Sequence, residues 1–528
     1  MATTAARAIC LARGLELLHV WEAVGAYLDH SARWTIERAA AHGHKYLVQH
    51  IAITRPLGDD QEVASLVMDF AARNGHLDIL QWLNDTKTLN RCSTRAMDDA
   101  AKNGYLAIVQ WLHENRQEGC TVKAMDGAAM NGHLDVLQWL HLSRKEGCTK
   151  KAMDLAAQNG RLDVLEWLDS HRHEGCSPLA VEYAATEGQL DVVKWLCEHR
   201  KMEGAPTAMV KAARHGHLAT LEYLGQRFPD VFESVGAKMV HAAIANGHVA
   251  LMTWLISVLP LRALKCEGDS YSWLDVAAEF GQVAILQWFS EHTSELPVGV
   301  QIDGHLPACS PEAIEKAAGN GHIHVLDFLH GHEMVEVDSQ DDAVKAIQAA
   351  VQGGHRDCVE WLVHHFQRHL EEPEASTAVM DTAAASGHVE ILAFMRACVV
   401  TSSWHTSAKA VNEAARLGWI DVLQWLHQHE VTGTPETSEL WTPRALECAA
   451  ANGHLRVVQW LVANRCTECR SSEALNSAAY MDHLEIAQFL YREVRSSCSV
   501  VQALEHAEEG GAEETLAWLE SLSPQDRP

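Results

Sequence analysis

One 28-residue phrase stands twice in immediate succession in this chain. Residues 121–148 read TVKAMDGAAMNGHLDVLQWLHLSRKEGC, and residues 149–176 read TKKAMDLAAQNGRLDVLEWLDSHRHEGC. The frame extends in both directions on one glycine per unit: Gly43, Gly75, Gly104, Gly132, Gly160, Gly188, Gly216, Gly247, Gly281, Gly321, Gly354, Gly387, Gly418 and Gly453. Asp482 takes the glycine's place once and Gly511 closes a series of sixteen units. The spacing is 28 from Gly104 to Gly216 and between 29 and 40 elsewhere. Such periods belong to solenoids, whose units cannot bury an apolar face alone and share a core with their neighbours.

Each unit reads as two short helices. Ser or Thr stands eleven residues before the anchor in ten units, among them Ser93, Thr121, Thr149, Ser177, Ser310, Ser376 and Thr442. These hydroxyls suit an N-cap, which accepts from the free N–H groups of a first turn. Pro178, Pro311 and Pro443 follow directly, where a helix tolerates proline best. Seven residues before the anchor every unit is apolar, from Ile36 to Leu504. The anchor glycine ends the first helix, since a left-handed turn is cheapest there. The second helix opens at the residue two beyond it, with Asp78, Asp135, Asp163 and Asp191 in first turns that favour an anion. Five and eight residues after the anchor all sixteen units are apolar, which predicts a buried helical stripe.

The run Ala-Ala-x-x-Gly-His-Leu-Asp-Val-Leu-x-x-Leu, clean in Ala128–Leu140 and near-complete in Ala449–Leu461, resembles the ankyrin repeat. The resemblance covers about residues 32–520. It implies an all-α, ankyrin-like solenoid of about sixteen helix-turn-helix repeats in a curved superhelical array. Residues 1–30 read as a helical cap or degenerate repeat, 31–520 as one continuous repeat domain and 521–528 as a short polar tail. Two departures matter. The family's Thr-Pro-Leu-His opening is replaced by Ala-Met-Asp (Ala124, Met125, Asp126), and the 28-residue units fall short after the second helix, where the family carries a projecting β-hairpin. With the hairpins shortened, the groove lined by first helices becomes the expected binding surface.

Lys and Arg number 42 against 70 Asp and Glu, a net charge of −28. Phosphate binding needs a basic face, so this balance leads to the expectation of a protein partner and no nucleic acid. No apolar run of membrane-spanning length occurs, and Arg13 and Glu16 interrupt the only stretch that could serve as a signal peptide. Together with fourteen Cys read as reduced thiols, these features predict a monomeric cytoplasmic or nuclear protein with no membrane contact.

Several columns tempt a chemical reading. Trp occurs seven residues after the anchor in eleven units, including Trp139, Trp167, Trp195 and Trp361. An aromatic ladder could stack bases, but its place beside the Leu stripe predicts a packing seam between units. Cys92, Cys120, Cys148 and Cys176 recur every 28 residues. Side-by-side helices hold equivalent residues too far apart for disulfides, so buried thiols are expected. Cys466 and Cys469 form a lone CxxC, and His322, His324, His330 and His332 are dense but not on one helix face. No metal, cofactor or catalytic constellation is expected. An acid stands six residues before the anchor in eleven units: Glu37, Asp69, Asp98, Asp126, Asp154, Glu182, Asp275, Glu315, Asp381, Glu447 and Glu505. Its position matches the His of the family's opening motif, which implies hydrogen bonding between units; an acidic strip for a basic partner is the alternative.

Positions nine, five and two before the anchor share a face of the first helix opposite the core. This face varies between units while the core does not. Its candidates for partner binding are Arg95, Asp99 and Lys102, then Lys123 and Met130 flanking Gly127, then Lys151 and Gln158 flanking Leu155, then Tyr183 and Thr186, then Lys211 and Arg214. The expected function is non-catalytic protein–protein binding along this concave groove, as scaffold or adaptor. Alternatives are a subunit that recruits substrates to a ubiquitin ligase or kinase in trans, and a metal- or redox-responsive scaffold. The long connection Phe289–Cys309 is a further contact candidate.

Overall fold

The computed structural model describes residues 34–522 apart from 55–60, 87–90, 201–203, 265–271, 293–308, 336–338, 371, 398–405, 430–439, 466–470 and 495–498. The expected N-terminal cap, the CxxC at Cys466 and Cys469, most of the Phe289–Cys309 connection and most of the polar tail lie outside these residues. The described chain holds 34 α-helices and no strand. It is an all-α array of helix-turn-helix repeats. Two compact units are present: residues 1–243 with 250–264, and residues 244–249 with 265–528.

Within each unit the same local rules operate. The pair Val122–Asn131 and Leu134–Ser143 is typical. Thr121 caps the first helix by accepting from the Lys123 N–H at 3.2 Å, and Gly132 ends it at φ +82°. Every anchor glycine has positive φ, and Asp482 adopts the same turn at φ +58°. That conformation strains a residue bearing a Cβ. Here the Asp482 carboxylate accepts from the Thr515 N–H at 2.9 Å, and that bond holds its carboxyl below the ordinary range.

Within each compact unit, first helices pack on the first helices of the units before and after, and on their own second helices. The core is the predicted one. All sixteen residues eight beyond the anchor are buried, and five beyond it only Leu516, in the last unit, is partly open. Thirteen of the sixteen units contribute a buried Ala pair four and three residues before the anchor, such as Ala128 and Ala129, that lets neighbouring first helices approach closely.

Three features differ from the sequence reading. Ser376 is not a cap but lies inside the longer helix Pro373–Ala385, because Pro373 starts that helix early. Ser310 and Thr442 begin helices without a side-chain cap bond; Pro311 and Pro443 supply no N–H at the first position and set the turn instead. An additional helix, Pro229–Ser234, follows the second helix of the Gly216 unit and buries Phe232 against Trp254 at a centroid distance of 5.8 Å.

Candidate partner-binding surface

Two kinds of side-chain clasp between units fix the register that positions this surface. The first begins at the acidic column. Asp98 accepts from the Thr121 N–H at 2.7 Å and the Thr121 hydroxyl at 2.8 Å. Asp126 does the same with Thr149 at 2.8 and 2.7 Å, and Asp154 with Ser177 at 2.8 and 2.7 Å. Asp69 holds Ser93 and Asp381 holds Ser407 in this way. Glu447 accepts from the Ser471 hydroxyl at 2.5 Å, and Asn412 from the Thr442 hydroxyl at 3.0 Å. The cap hydroxyl thus works twice, accepting from its own helix while donating to the unit before it. Asp69, Asp98, Asp126 and Asp154 are buried, so the column is structural and not an open acidic strip. Glu505, in the last of the sixteen units, is exposed. Burial pushes the Asp69, Asp98 and Asp381 carboxyls above their ordinary range, against the pull of the hydrogen bonds from the following unit.

The second clasp closes, in ten units, on the carbonyl two residues before the anchor, one of the groups a helix end leaves unpaired. The next unit supplies the donor. Asn103, Asn131, Asn159 and Asn320 donate to the carbonyls of Arg73, Lys102, Met130 and Glu279 at 2.6–3.0 Å. Elsewhere the residue after the anchor does so: His217 lies 2.9 Å from the Thr186 carbonyl, Gln282 2.9 Å from Ala245 and Trp419 3.0 Å from Ala385. A carbonyl only accepts, so the facing Nε2 of His217 carries a proton. These side chains lie against the previous anchor glycine. A Cβ on Gly104 would stand 2.5 Å from His133 Nδ1, and one on Gly75 would meet the Tyr105 ring at 2.8 Å. The anchor is therefore glycine for two reasons, its left-handed turn and the lack of room.

The back of the array is occupied by packing. His113 meets Trp139 edge-on at 5.2 Å, His141 meets Trp167 at 5.3 Å and His330 meets Trp361 at 5.6 Å. Trp167, Trp195, Trp288, Trp361 and Trp425 also stack on a His four residues on. The Trp column is a seam between units, as its position predicts. Cys92, Cys120 and Cys148 are buried free thiols in the turns. Burial pushes them up to about 12, 11 and 11, which makes them poor nucleophiles. Arg116, Arg144 and Arg172 brace the same turns through ion pairs to Glu118, Glu146 and Glu174. Among the described residues no group of His, Cys, Asp and Glu is arranged to hold a metal ion. No described helix is long and apolar enough to cross a membrane.

The first-helix face is open by contrast. Across the Gly104, Gly132 and Gly160 units it forms a groove of about 840 Å³. Arg95, Asp99, Lys102, Lys123, Met130 and Lys151 line it, together with Gly127 and Leu155. Six of the eleven candidates are thus brought together. Gln158, Tyr183, Thr186, Lys211 and Arg214 are not part of this lining. Lys211 pairs with Glu182 at 2.9 Å and lies over the Tyr183 ring at 5.8 Å, and Thr186 donates to the Glu182 carbonyl at 2.7 Å. Those three are engaged within the array. Val122 and Lys150 line the groove without having been singled out. They occupy the opening turn, ten residues before the anchor, and their 28-residue spacing was the available signal.

Models of ankyrin repeats match the chain over more than half its length. A three-copy model matches residues 125–205, 153–233, 314–402 and 411–502, and a many-copy model matches 97–141. No curated protein matches the sequence. Among solved structures, the chain is similar to the pentatricopeptide repeat protein PPR10 in complex with an 18-nt psaJ RNA element, at 13% identity and TM-score 0.31. The alignment covers 98% of this chain and 89% of that one. PPR10 from maize gives 10% identity and TM-score 0.22, with 98% of both chains covered. At these TM-scores the likeness assigns this chain no ligand. The exclusion of nucleic acid drawn from net charge does not stand, because the charge of the whole chain is not the charge of its groove. The physical reason is that −28 is a sum over 528 residues, whereas the groove itself carries five cations: Arg95, Lys102, Lys123, Lys150 and Lys151.

Proposed function

The chain belongs to the ankyrin repeat family, and from that premise we propose that it is a non-catalytic scaffold or adaptor that binds a protein partner along its first-helix face. The observation that carries this reading is the asymmetry between the two sides of the array. The second-helix side is filled by Trp–His packing, while the first-helix side holds exposed, variable side chains over a groove whose floor includes Met130 and Leu155. An open surface with a fixed core beneath it is how repeat proteins present recognition residues. The Thr clasps hold that surface rigid, so binding costs little ordering of the backbone. Buried free thiols fit a reducing compartment, either cytoplasm or nucleus.

Proximity labelling in cells tests this. Wild type is compared with the triple variant Lys102→Glu, Lys123→Glu, Lys151→Glu, and with a control carrying Gln138→Lys and Glu166→Lys on exposed second-helix positions. Loss of specific neighbours in the triple variant alone supports the proposal. An unchanged set of neighbours in the triple variant sinks it.

A further inference from the structure

The groove in the first compact unit departs in charge from the chain that carries it. Arg95, Lys102, Lys123, Lys150 and Lys151 line it. None of the five is held in an ion pair among the described residues. Three carboxylates are nearby, but Asp98 and Asp126 are already taken up by Thr121 and Thr149, as described above. Asp99 alone among the three is uncommitted to a clasp. Between the cations the floor is apolar and indented. Gly127 carries no side chain, because a Cβ there would stand 2.8 Å from Lys102 Cβ. Met130 and Leu155 flank this gap, both half-buried.

The equivalent groove in the second compact unit has another character. It measures about 710 Å³ and sets Glu374, Asp381 and Glu413 around Lys409. Asp381 there is taken up by Ser407 and Glu413 pairs with Arg416 at 2.8 Å, so this groove lacks the cationic excess of the first.

Resting on the protein-binding function proposed above, we infer that the groove over Gly127 takes an acidic, extended peptide segment with one apolar side chain seated between Met130 and Leu155. Complementary charge supplies the attraction and the register, and the apolar gap supplies the anchor. An RNA strand fits less well. A phosphate track needs unbroken cationic lining, whereas Asp99 sits among these cations. The lining also offers no aromatic ring on which a base could stack.

The test uses the full chain and a fluorescein-labelled peptide of alternating Glu and Asp around a central Leu, read by anisotropy. Saturable binding that weakens with salt is expected. It falls by about tenfold or more in the Lys102→Glu, Lys123→Glu, Lys151→Glu variant. Leu155→Ser should weaken the Leu-centred peptide and leave a Ser-centred one unchanged. Unaltered hydrogen exchange in the second helices shows that the variants remain folded. The inference is overturned if the Gln and Asn version of the peptide binds equally well, or if single-stranded RNA of matched length binds more tightly through the same lysines. If no peptide binds while the triple variant still loses its cellular neighbours, this inference falls and the proposed function stands. If neither effect is seen, both fall.

Discussion

Replacing Asp98 by Ala removes the acceptor for two donors of the following unit. The Thr121 N–H and hydroxyl lie 2.7 and 2.8 Å from the carboxylate, which is only 5% exposed. A hydrogen bond to a charged acceptor is worth about 1.5–3 kcal/mol net, and a donor left without a partner costs about 1–3 kcal/mol. Two effects reduce the total: burial already disfavours the ionised Asp98, and half-buried Thr121 can recruit water. The expected loss is therefore about 1–3 kcal/mol at this junction. At 1.36 kcal/mol per decade, that is roughly a 5- to 150-fold rise in local opening. A whole-chain melt would blur the effect, since an array opens unit by unit. Amide hydrogen exchange resolved by mass spectrometry reads it directly across Val122–Asn131, with the distant helix Leu455–Asn464 as reference. Asp98→Asn keeps one acceptor oxygen and should restore most of the protection. Exchange across Val122–Asn131 that is unchanged by Asp98→Ala would refute the clasp.

Other expectations use the same logic. Gly104→Ala places a Cβ 2.5 Å from His133 at φ +79°, whereas Gly175→Ala meets nothing within 4 Å at φ +67°. Gly175→Ala should therefore cost about 1–2 kcal/mol from backbone strain alone and Gly104→Ala clearly more, measured as local exchange protection. Cys92, Cys120 and Cys148, pushed up to about 12, 11 and 11, should resist alkylation at neutral pH until the protein unfolds, as mass spectrometry of trapped thiols would record. Raised folded-state values for Asp69, Asp98 and Asp381 mean that these buried carboxyls, on balance against the clasp hydrogen bonds that pull the other way, favour the fold most at low pH. That contribution is lost as pH rises from 3.8 through the folded value. Glu174, held down by the Arg172 guanidinium, has the opposite sign and loses its contribution as pH falls below 4.5. Exchange at the Asp98 junction should therefore slow on mild acidification beyond the intrinsic rate change, and Asp98→Asn should abolish that dependence.

Much of this fold could be read in the sequence because its determinants are local. The anchor turns, most cap hydroxyls and the stripe five and eight residues beyond each anchor follow from positions within one unit. The acidic column was legible only as a choice between structure and binding. Resolving it needed the Thr121 and Thr149 hydroxyls in place, on helices 23 residues further along the chain. The His after each anchor read as a turn residue for the same reason, since its partner carbonyl lies in the preceding unit, 31 residues away for His217 and Thr186. Lys211 looked available on the face but is held by Glu182, 29 residues before it. Helix Pro229–Ser234 carried its own signal, a proline at the first helical position, yet it breaks the two-helix period that governed the reading. The groove was legible as a face, and its depth was not, because depth depends on how closely Gly127 lets the preceding helix approach.

On the reading above, recognition belongs to the first helices and not to the Trp-bearing second helices. Hydrogen-exchange footprinting of the full chain, alone and with the partner recovered by labelling, tests it most directly. Added protection is expected in Thr94–Lys102, Val122–Asn131 and Lys150–Gln158, with Leu106–Asn115, Leu134–Ser143 and Leu162–His171 unchanged. Protection confined to the second helices would contradict it.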